Sequence, residues 1–537
     1  MTTPSADLLL TGGTVHTLDD AGTIAEAVAV RAGTIIAVGS RDELRQYSGP
    51  ATRAVDLAGR TVVPGLIDSH CHFEDAGLDH DTVGFEGVTT LAEALDRIRA
   101  HAATLPTDSW VRGRMWNPAN QLAERRAPNR HELDAATGGR PVYLPFGHSA
   151  AASTAALRAA GLDERSDHPA SIVDREAGGH PSGHLIEDGM QFVARVVPVW
   201  TDEQRTRQLA DAMAVLNAHG ITSVVAGATA RQDVEVLAKL DGRSTLRVAA
   251  MVTPSGELNP SVSASEWSDL LAGGPRPASP WLQERGIKLQ IDGGMTLGTA
   301  ATRDPYANRD DYHGELIVDR SRLTELVTVA HRSGWPVGIH VVGDAAIDLA
   351  LDVMETSRTP GLAPDVLIHA SLIQPDQIKR AAALGVLVAA QTPFLWRNVR
   401  TIEGHLGRQR TADAVPLRDL VDVAGLGHVA AGTDYPINRL APFQNIYAMT
   451  TRADAQGVVT GTRQAVSRAE ALALYTRSGA AHTGELHRKG TIEPGKYADL
   501  AVLDRDPLTV DDKSLLETQV ELTLVAGQPV FDPHQLS

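Results

Sequence analysis

The feature that most constrains the fold is an alternation of short apolar runs with amphipathic stretches along the middle of the chain. The runs are rich in Val, Ile, Leu and Ala, which is typical of strands buried on both faces, and helical periodicity appears between several of them. A (β/α)8 barrel requires eight such units. The sequence therefore predicts an α/β fold built on a (β/α)8 TIM barrel. The predicted strands are 63–68, 221–226, 246–252, 287–291, 337–340, 366–369, 385–390 and 428–432.

The two ends of the chain carry a different pattern. Short apolar runs broken by Gly and Asp occupy residues 7–60 and recur from about residue 490, which indicates a small β-domain. We expect residues 1–60 and 485–537 to form one composite β-sandwich. The TIM-barrel domain is then expected to comprise residues 61–73 and 206–484.

A long interval, residues 74–205, separates the first two predicted barrel strands. A structureless loop of that length is implausible in a compact protein. The interval contains strand-like pieces at 110–115 and 141–146. We expect it to be an inserted subdomain over the barrel mouth.

Composition narrows the class of partner. The net charge of −17 argues against nucleic acid or an anionic membrane. A single cysteine excludes an internal disulfide and makes a reducing cytoplasm the default compartment. The N-terminus lacks the basic and apolar regions of a signal peptide, and no apolar run reaches membrane-spanning length. We expect a cytoplasmic protein that acts on a small molecule, with a homodimer as the default oligomer.

Two histidines, His70 and His72, follow the first apolar run. Residues i and i+2 of a strand point to the same side, so both imidazoles can reach one metal ion. Random placement of the 20 histidines gives about 0.7 such pairs, so chance is a real alternative for the spacing alone. The position at a strand end is what favours a metal site.

Three further candidates lie at the ends of later runs. His340 and His369 each close an apolar run, and Asp434 follows the last one. The ordinary alternatives are core histidines bonded to backbone carbonyls and a turn or helix-capping aspartate. Barrel enzymes place their catalytic groups at C-terminal strand ends, so the three together favour a site at the barrel mouth.

Lys288 lies inside the fourth run, where a charged side chain is unusual. A buried ion pair with Asp292 or Asp434 is one interpretation. Another is that the amine carries CO2 as a carbamate, which can bridge two metal ions. The sequence leaves both interpretations open.

The order HxH, Lys, His, His, Asp along eight strands resembles the amidohydrolase superfamily. The segments TVVPGLIDSHCH, GIKLQIDGG, IHVVGDAAID, AAGTDYP and GTIEPGKYADLAVLDRDP are similar to the amidohydrolase family 3 branch of YtcJ-like proteins and N-substituted formamide deformylases. RGRMW and PVYLPFGHSAAASTAAL in the insertion are similar to that branch too. The resemblance covers nearly the whole chain and implies a TIM barrel with a composite β-sandwich from both termini.

The resemblance also implies roles for single residues. Asp434 matches a metal ligand that acts as the general base, and Lys288 matches the lysine that is carboxylated in binuclear members. His148 matches a histidine of the insertion that faces substrate, against the alternative of a surface or capping histidine. The implied metal ligands are His70, His72, Lys288, His340, His369 and Asp434.

These ligands suit Zn2+ first, with Mn2+, Co2+ or Fe2+ as alternatives, and two ions rather than one if Lys288 is carboxylated. A bound metal lowers the pKa of its water from about 15.7 to about 7, which supplies hydroxide for attack on a carbonyl carbon. We expect cleavage of a C–N bond other than a peptide bond, in an amide, N-substituted formamide, cyclic imide or carbamate. Ester or lactone hydrolysis and a non-catalytic scaffold are the alternatives. Candidate substrate contacts are Trp116, His148 and Trp396, although aromatic residues are also ordinary core residues.

Overall fold

The computed structural model describes residues 5–114, 116–146, 149–186, 189–253 and 264–536. The strands are β1 (Leu8–His16), β2 (Ile24–Arg31), β3 (Thr34–Gly39), β4 (Arg53–Asp56), β5 (Thr61–Pro64), β6 (Leu66–Cys71), β7 (Val111–Arg112), β8 (Val142–Phe146), β9 (Ser149–Ala152), β10 (Val173–Arg175), β11 (Pro181–Ile186), β12 (Ile221–Ala230), β13 (Arg247–Thr253), β14 (Leu282–Gln290), β15 (Val337–Val341), β16 (Val366–His369), β17 (Leu387–Ala390), β18 (Val429–Ala431), β19 (Leu500–Leu503), β20 (Val520–Val525) and β21 (Gln528–Phe531).

The α-helices in the same ranges are α1 (Arg41–Leu44), α2 (Leu91–Thr104), α3 (Pro118–Gln121), α4 (Arg130–Thr137), α5 (Thr154–Ala159), α6 (Gly189–Ala194), α7 (Asp202–Asn217), α8 (Arg231–Leu240), α9 (Ala264–Leu271), α10 (Arg320–Arg332), α11 (Asp344–Thr356), α12 (Pro375–Leu384), α13 (Pro393–Leu406), α14 (Arg408–Asp413), α15 (Leu417–Ala424), α16 (Pro442–Thr451), α17 (Arg468–Leu474), α18 (Arg477–His482) and α19 (Asp512–Leu516).

Eight parallel strands form a nearly closed barrel. They neighbour one another in chain order, β6 and then β12 to β18. The last strand returns to the first at the mouth, where the backbone N–H of Asp434 donates to the carbonyl oxygen of His70 at 2.8 Å. Helices follow several of the strands, as the alternating pattern predicts. The predicted α/β barrel fold is confirmed.

The first predicted run, 63–68, is corrected at its start. Val63 and Pro64 belong to β5 of a different sheet, and the barrel strand begins at Leu66. Gly65 lies at the change of sheet, where a Cβ atom would approach the Thr222 hydroxyl oxygen to 2.3 Å. One continuous apolar run therefore contributes strands to two sheets. The division falls at Gly65, where a larger residue would clash with Thr222.

The interior of the barrel is filled by alternate residues of its strands. We call the following buried set the barrel-core cluster: Val225, Ala249, Met251, Val366, Ile368, Leu387 and Ala389. Leu387 and Ala389 are two residues apart on β17, as are Val366 and Ile368 on β16. Since side chains alternate across a strand, the cluster identifies the inward-facing positions.

Strands from both ends of the chain share a second sheet. Its order is β21, β20, β19, β5, β1, β2, β3, and β4 also pairs with β1. The antiparallel pairing of β5 with β19 sets Val62 opposite Val502, which joins the two termini. Just before β19, Asp499 forms a buried ion pair with Arg247 of β13, with N–O distances of 2.6 and 3.0 Å. This pair connects the terminal sheet to the barrel.

Residues Ala76–Arg205 form a separate compact unit. Its five-stranded sheet has the order β10, β11, β9, β8, β7, and its core includes Phe85, Leu133 and Leu144. The strand-like pieces predicted at 110–115 and 141–146 contain β7 and β8. In the described part of the chain, no helix has the length and apolar character needed to cross a membrane.

Candidate metal centre

The barrel strands carry the predicted ligands to one end of the barrel. His70 lies on β6 with His72 just after it, Lys288 lies on β14, His340 lies on β15, His369 ends β16, and Asp434 follows β18. These are C-terminal strand positions, where (β/α)8 enzymes hold their catalytic groups.

Three of these residues form a tight donor cluster. Asp434 Oδ1 lies 3.3 Å from His70 Nε2 and 3.4 Å from His72 Nε2. One donor atom from each of the three lies within 4.8 Å of the other two. Two imidazole nitrogens and a carboxylate oxygen at this spacing are a ligand set that a divalent cation accepts.

His369 and His340 extend the cluster to the neighbouring strands. The ring of His369 lies 5.3 Å from that of His70 and 4.6 Å from that of His340, between ring centroids. His369 and Asp434 both have left-handed backbone conformations, with φ of +75° and +56°. Non-glycine residues seldom adopt this conformation, and it is concentrated at functional sites.

The charge states of His70, His340 and Asp434 suit metal binding. Burial lowers the pKa of His70 to about 3 and that of His340 to about 4, so both rings are neutral at pH 7. Burial alone would raise the pKa of Asp434, but its contacts with His70 and His72 outweigh burial and hold that pKa well below its usual range. Neutral imidazoles beside an ionised carboxylate are the forms that coordinate metals.

Several buried polar atoms of the cluster have no hydrogen-bond partner among the described residues. They are both ring nitrogens of His70, Nδ1 of His369, Oδ1 of Asp434 and Nζ of Lys288. His70 Nε2 and Asp434 Oδ1 are therefore 3.3 Å apart, but their geometry is not that of a hydrogen bond. Buried polar groups in native proteins are almost always satisfied, so this donor set fits a bound divalent cation.

The ion pairs considered for Lys288 do not form. Asp292 instead accepts backbone N–H groups from Ala301 and Val342 at 3.0 Å and from Gly343 at 2.8 Å. Lys288 Nζ has no partner in the described part of the chain, whether Asp292 or Asp434. Burial lowers the pKa of Lys288 to about 7, with the charge of Asp434 opposing it. The interpretation of Lys288 as one half of a structural ion pair is wrong.

A buried aspartate that sequence reasoning missed aligns the ends of β6 and β18. Asp68 accepts the hydroxyl of Thr433 at 2.5 Å, the backbone N–H of Thr433 at 3.0 Å and that of His70 at 3.2 Å. These bonds fix the backbone beside His70 and Asp434. The only signal in the sequence is position, since Asp68 and Thr433 each lie within two residues of a predicted ligand.

The predicted substrate contacts have different surroundings. His148 lies outside the described residues. Trp116 is buried in the core of the Ala76–Arg205 unit, stacked on Phe85 at 4.1 Å, so its described contacts are core contacts and its binding role stays a prediction. Trp396 is half-buried on α13. In the first turn of that helix, Phe394 lies edge-on to His369 with ring centroids 5.9 Å apart, a contact that the sequence did not predict.

Comparison with known proteins agrees with this arrangement. The amidohydrolase family model matches residues 53–531, so the chain belongs to the amidohydrolase family. N-substituted formamide deformylase of Arthrobacter pascens is 29% identical over 98% of both chains. The putative amidohydrolase YtcJ of Bacillus subtilis is 26% identical over 97% of this chain and 98% of its own. Family membership predicted from the sequence is thereby confirmed.

A solved structure shares the fold along most of the chain. An uncharacterised metal-dependent hydrolase from Pyrococcus furiosus superimposes with a TM-score of 0.77 at 25% identity, covering 94% of this chain and all of that one. The family, this neighbour and the donor cluster together support a metal-dependent hydrolytic function.

Proposed function

We propose that this protein is a metal-dependent amidohydrolase that cleaves a C–N bond other than a peptide bond. The observation that carries the proposal is the convergence of His70, His72 and Asp434 within 4.8 Å at the C-terminal end of the barrel. Candidate substrates are amides, N-substituted formamides, cyclic imides and carbamates. Similarity to an N-substituted formamide deformylase over 98% of the chain makes N-substituted formamides the first class to test.

The residues of the cluster divide into two groups of ligands. His70, His72 and Asp434 would hold a first ion, with Zn2+ expected first and Mn2+, Co2+ or Fe2+ as alternatives. His340 and His369 would hold a second ion if Lys288 is carboxylated. A divalent cation in this position lowers the pKa of a neighbouring water and polarises a substrate carbonyl.

Carboxylation of Lys288 is supported by the surroundings of its amine. The neutral amine adds to the carbon of CO2 and releases one proton, leaving a carbamate anion on Nζ. Burial favours the neutral amine, because it lowers the pKa of Lys288 to about 7. The modification would replace a buried amine that has no hydrogen-bond partner among the described residues by an anion suited to binding divalent cations.

Asp434 is proposed to move the proton of the reaction. Its carboxylate takes a proton from water as the water oxygen bonds to the carbonyl carbon. It then gives that proton to the leaving nitrogen as the C–N bond breaks, which yields a carboxylic acid and an amine. A positioned acid-base group of this kind contributes about 10²–10⁴-fold to the rate.

His148 and the insertion complete the proposed site. His148 would stabilise the negative charge that develops on the carbonyl oxygen. The chain order supports this placement, because the inserted residues 74–205 begin directly after His72, at the C-terminal end of the first barrel strand. We also propose that this segment covers the barrel mouth and that Trp116 and Trp396 contact substrate.

A substrate screen tests the proposed function. Chelated and Zn2+- or Mn2+-loaded protein is incubated with N-formyl, N-acyl and carbamoyl amines, and release of the free amine is measured. We expect at least one class to release amine in the loaded protein and none in the chelated protein. Equal amine release by both preparations would contradict a metal-dependent mechanism.

A further inference from the structure

Gln391 occupies a distinctive position at the barrel mouth. It follows β17 directly, and β17 lies between β16, which ends at His369, and β18, which precedes Asp434. Leu387 and Ala389 on the same strand belong to the barrel-core cluster. Gln391 therefore lies at the C-terminal end of the barrel, two residues beyond Ala389 and between the strand that ends at His369 and the strand that precedes Asp434.

The amide of Gln391 is completely buried, yet it has no hydrogen-bond partner among the described residues. Its exposed fraction is 0%, and neither Nε2 nor Oε1 has a hydrogen-bond partner in the ranges that the structure describes. The equally buried Gln377 shows the usual situation, since its Nε2 donates to the Asp344 carbonyl at 2.7 Å and its Oε1 accepts the Gln374 N–H at 3.0 Å. An orphaned buried amide at a functional site indicates a group that a ligand satisfies.

Both strands that flank β17 lead to residues of the donor cluster. Strand register pairs Ile368 of β16 with Ala389 and Ala431 of β18 with Ala390, so Gln391 lies just beyond the last paired residues, between the ends of these two strands. Three residues after Gln391, the ring of Phe394 contacts His369, so the turn that carries Gln391 runs beside the donor cluster.

We propose that Gln391 is a specificity residue that recognises the N–H group of a secondary amide. Its Oε1 accepts the N–H of the bond to be cleaved, and its Nε2 supplies a donor for a substrate oxygen. As the nitrogen becomes pyramidal, a fixed N–H also orients the nitrogen lone pair, which has to meet the proton from Asp434, the residue that follows the neighbouring strand β18. This role rests on the proposed C–N hydrolysis and specifies which C–N bonds are accepted.

The expected consequence is discrimination against substrates without an N–H group. An ester or a tertiary amide leaves the buried Oε1 unpaired, whereas a secondary amide satisfies it. Removing the Gln391 amide therefore lowers kcat/KM for a secondary amide by about 10–100-fold and leaves the matched ester within about 3-fold. The amide-to-ester ratio of kcat/KM falls by the same 10–100-fold.

The test compares Gln391→Met with Gln377→Met, at equal metal content. The substrates are N-butylformamide, butyl formate and N-butyl-N-methylformamide, together with the corresponding acetyl and carbamoyl sets. Gln391→Met should lower the amide-to-ester ratio and leave Tm unchanged or higher, because no hydrogen bond is lost. Gln377→Met should lower Tm, because its hydrogen bonds are lost, and leave the ratio unchanged. If Gln391→Met does not fold, Gln391→Asn shortens the side chain, keeps its polarity and should also lower the ratio.

The outcomes separate this role from the proposed function. A wild-type protein that prefers the secondary amide, with a ratio that falls only at Gln391, supports the role. An unchanged ratio in the Gln391 variants of an active enzyme overturns the role and leaves the proposed function standing. A loaded wild-type protein that releases amine from none of the amides overturns both.

Discussion

Replacing Lys288 by Met measures what it costs to bury an amine that has no partner. In the metal-free protein, burial lowers the pKa of Lys288 from 10.5 to about 7. Each pKa unit corresponds to about 1.4 kcal/mol, so the folded protein carries a penalty of about 4 kcal/mol at neutral pH. Met fills a similar volume without a charge. We expect Lys288→Met to raise the free energy of unfolding of the chelated protein by about 4 kcal/mol.

The pH dependence of this gain has a fixed sign. Between about pH 7 and pH 10.5 the unfolded chain keeps its lysine proton and the folded protein releases it, so the wild type gains stability as the pH rises. The advantage of Lys288→Met is therefore largest at or below about pH 7 and disappears near pH 10.5. Urea denaturation in the presence of chelator, followed by fluorescence across this pH range, measures the difference between the two proteins.

Lys489→Met is the matched control. Lys489 is as buried as Lys288, but its Nζ forms an ion pair with Glu485 at 2.8 Å and lies 3.2 Å from the Ser223 hydroxyl oxygen. Removing one partner of a buried pair costs about 3–5 kcal/mol, so this variant should be less stable than the wild type. If Lys288→Met is destabilised like Lys489→Met, the amine of Lys288 has a structural partner and the reasoning is refuted.

The remaining predictions concern catalysis, the carbamate and the terminal sheet. Asp434→Asn should lower kcat by about 10²–10⁴-fold with an unchanged circular dichroism spectrum, whereas Asp454→Asn, a buried aspartate that bonds loop amides, should keep near-normal turnover. Near-normal turnover of Asp434→Asn would show that the Asp434 carboxylate is not the proton-transfer group. Added bicarbonate should raise the metal content of the wild type and not that of Lys288→Met, and an equal response would exclude the carbamate. Asp499→Ala leaves Arg247 buried without its partner and should lower the free energy of unfolding by about 3–5 kcal/mol, whereas a loss below about 1 kcal/mol in urea denaturation would contradict this.

The strands and the candidate ligands could be predicted because both depend on local pattern. A barrel strand is a short apolar run, and a histidine among its last two residues marks its C-terminal end, as at His340 and His369. The exception is the run 63–68, which looks continuous but is divided between β5 and β6 at Gly65. The division depends on how closely Thr222 approaches, and periodicity contains no information about that distance.

Residues that act through tertiary contacts could not be predicted in this way. Asp68 binds Thr433 across 365 residues of sequence, so its role exists only once β6 and β18 are neighbours. Gln391 and Phe394 follow β17, which carries no predicted metal ligand. Neither glutamine nor phenylalanine is a usual metal ligand, so the sequence did not single them out. Asp292 accepts backbone N–H groups from Ala301, Val342 and Gly343, which are tertiary contacts that the local sequence around Lys288 does not encode.

The most direct test of the central claim is metal reconstitution with activity measured in the same samples. Chelated protein receives Zn2+ in steps, bound metal is determined by elemental analysis, and amine release from the best amide of the screen is recorded at each step. We expect activity to be absent without metal and to rise in proportion to bound metal. His70→Ala, which removes one member of the donor cluster, should bind less metal and stay inactive. Full amine release by protein shown to contain no metal would contradict the assignment as a metal-dependent amidohydrolase.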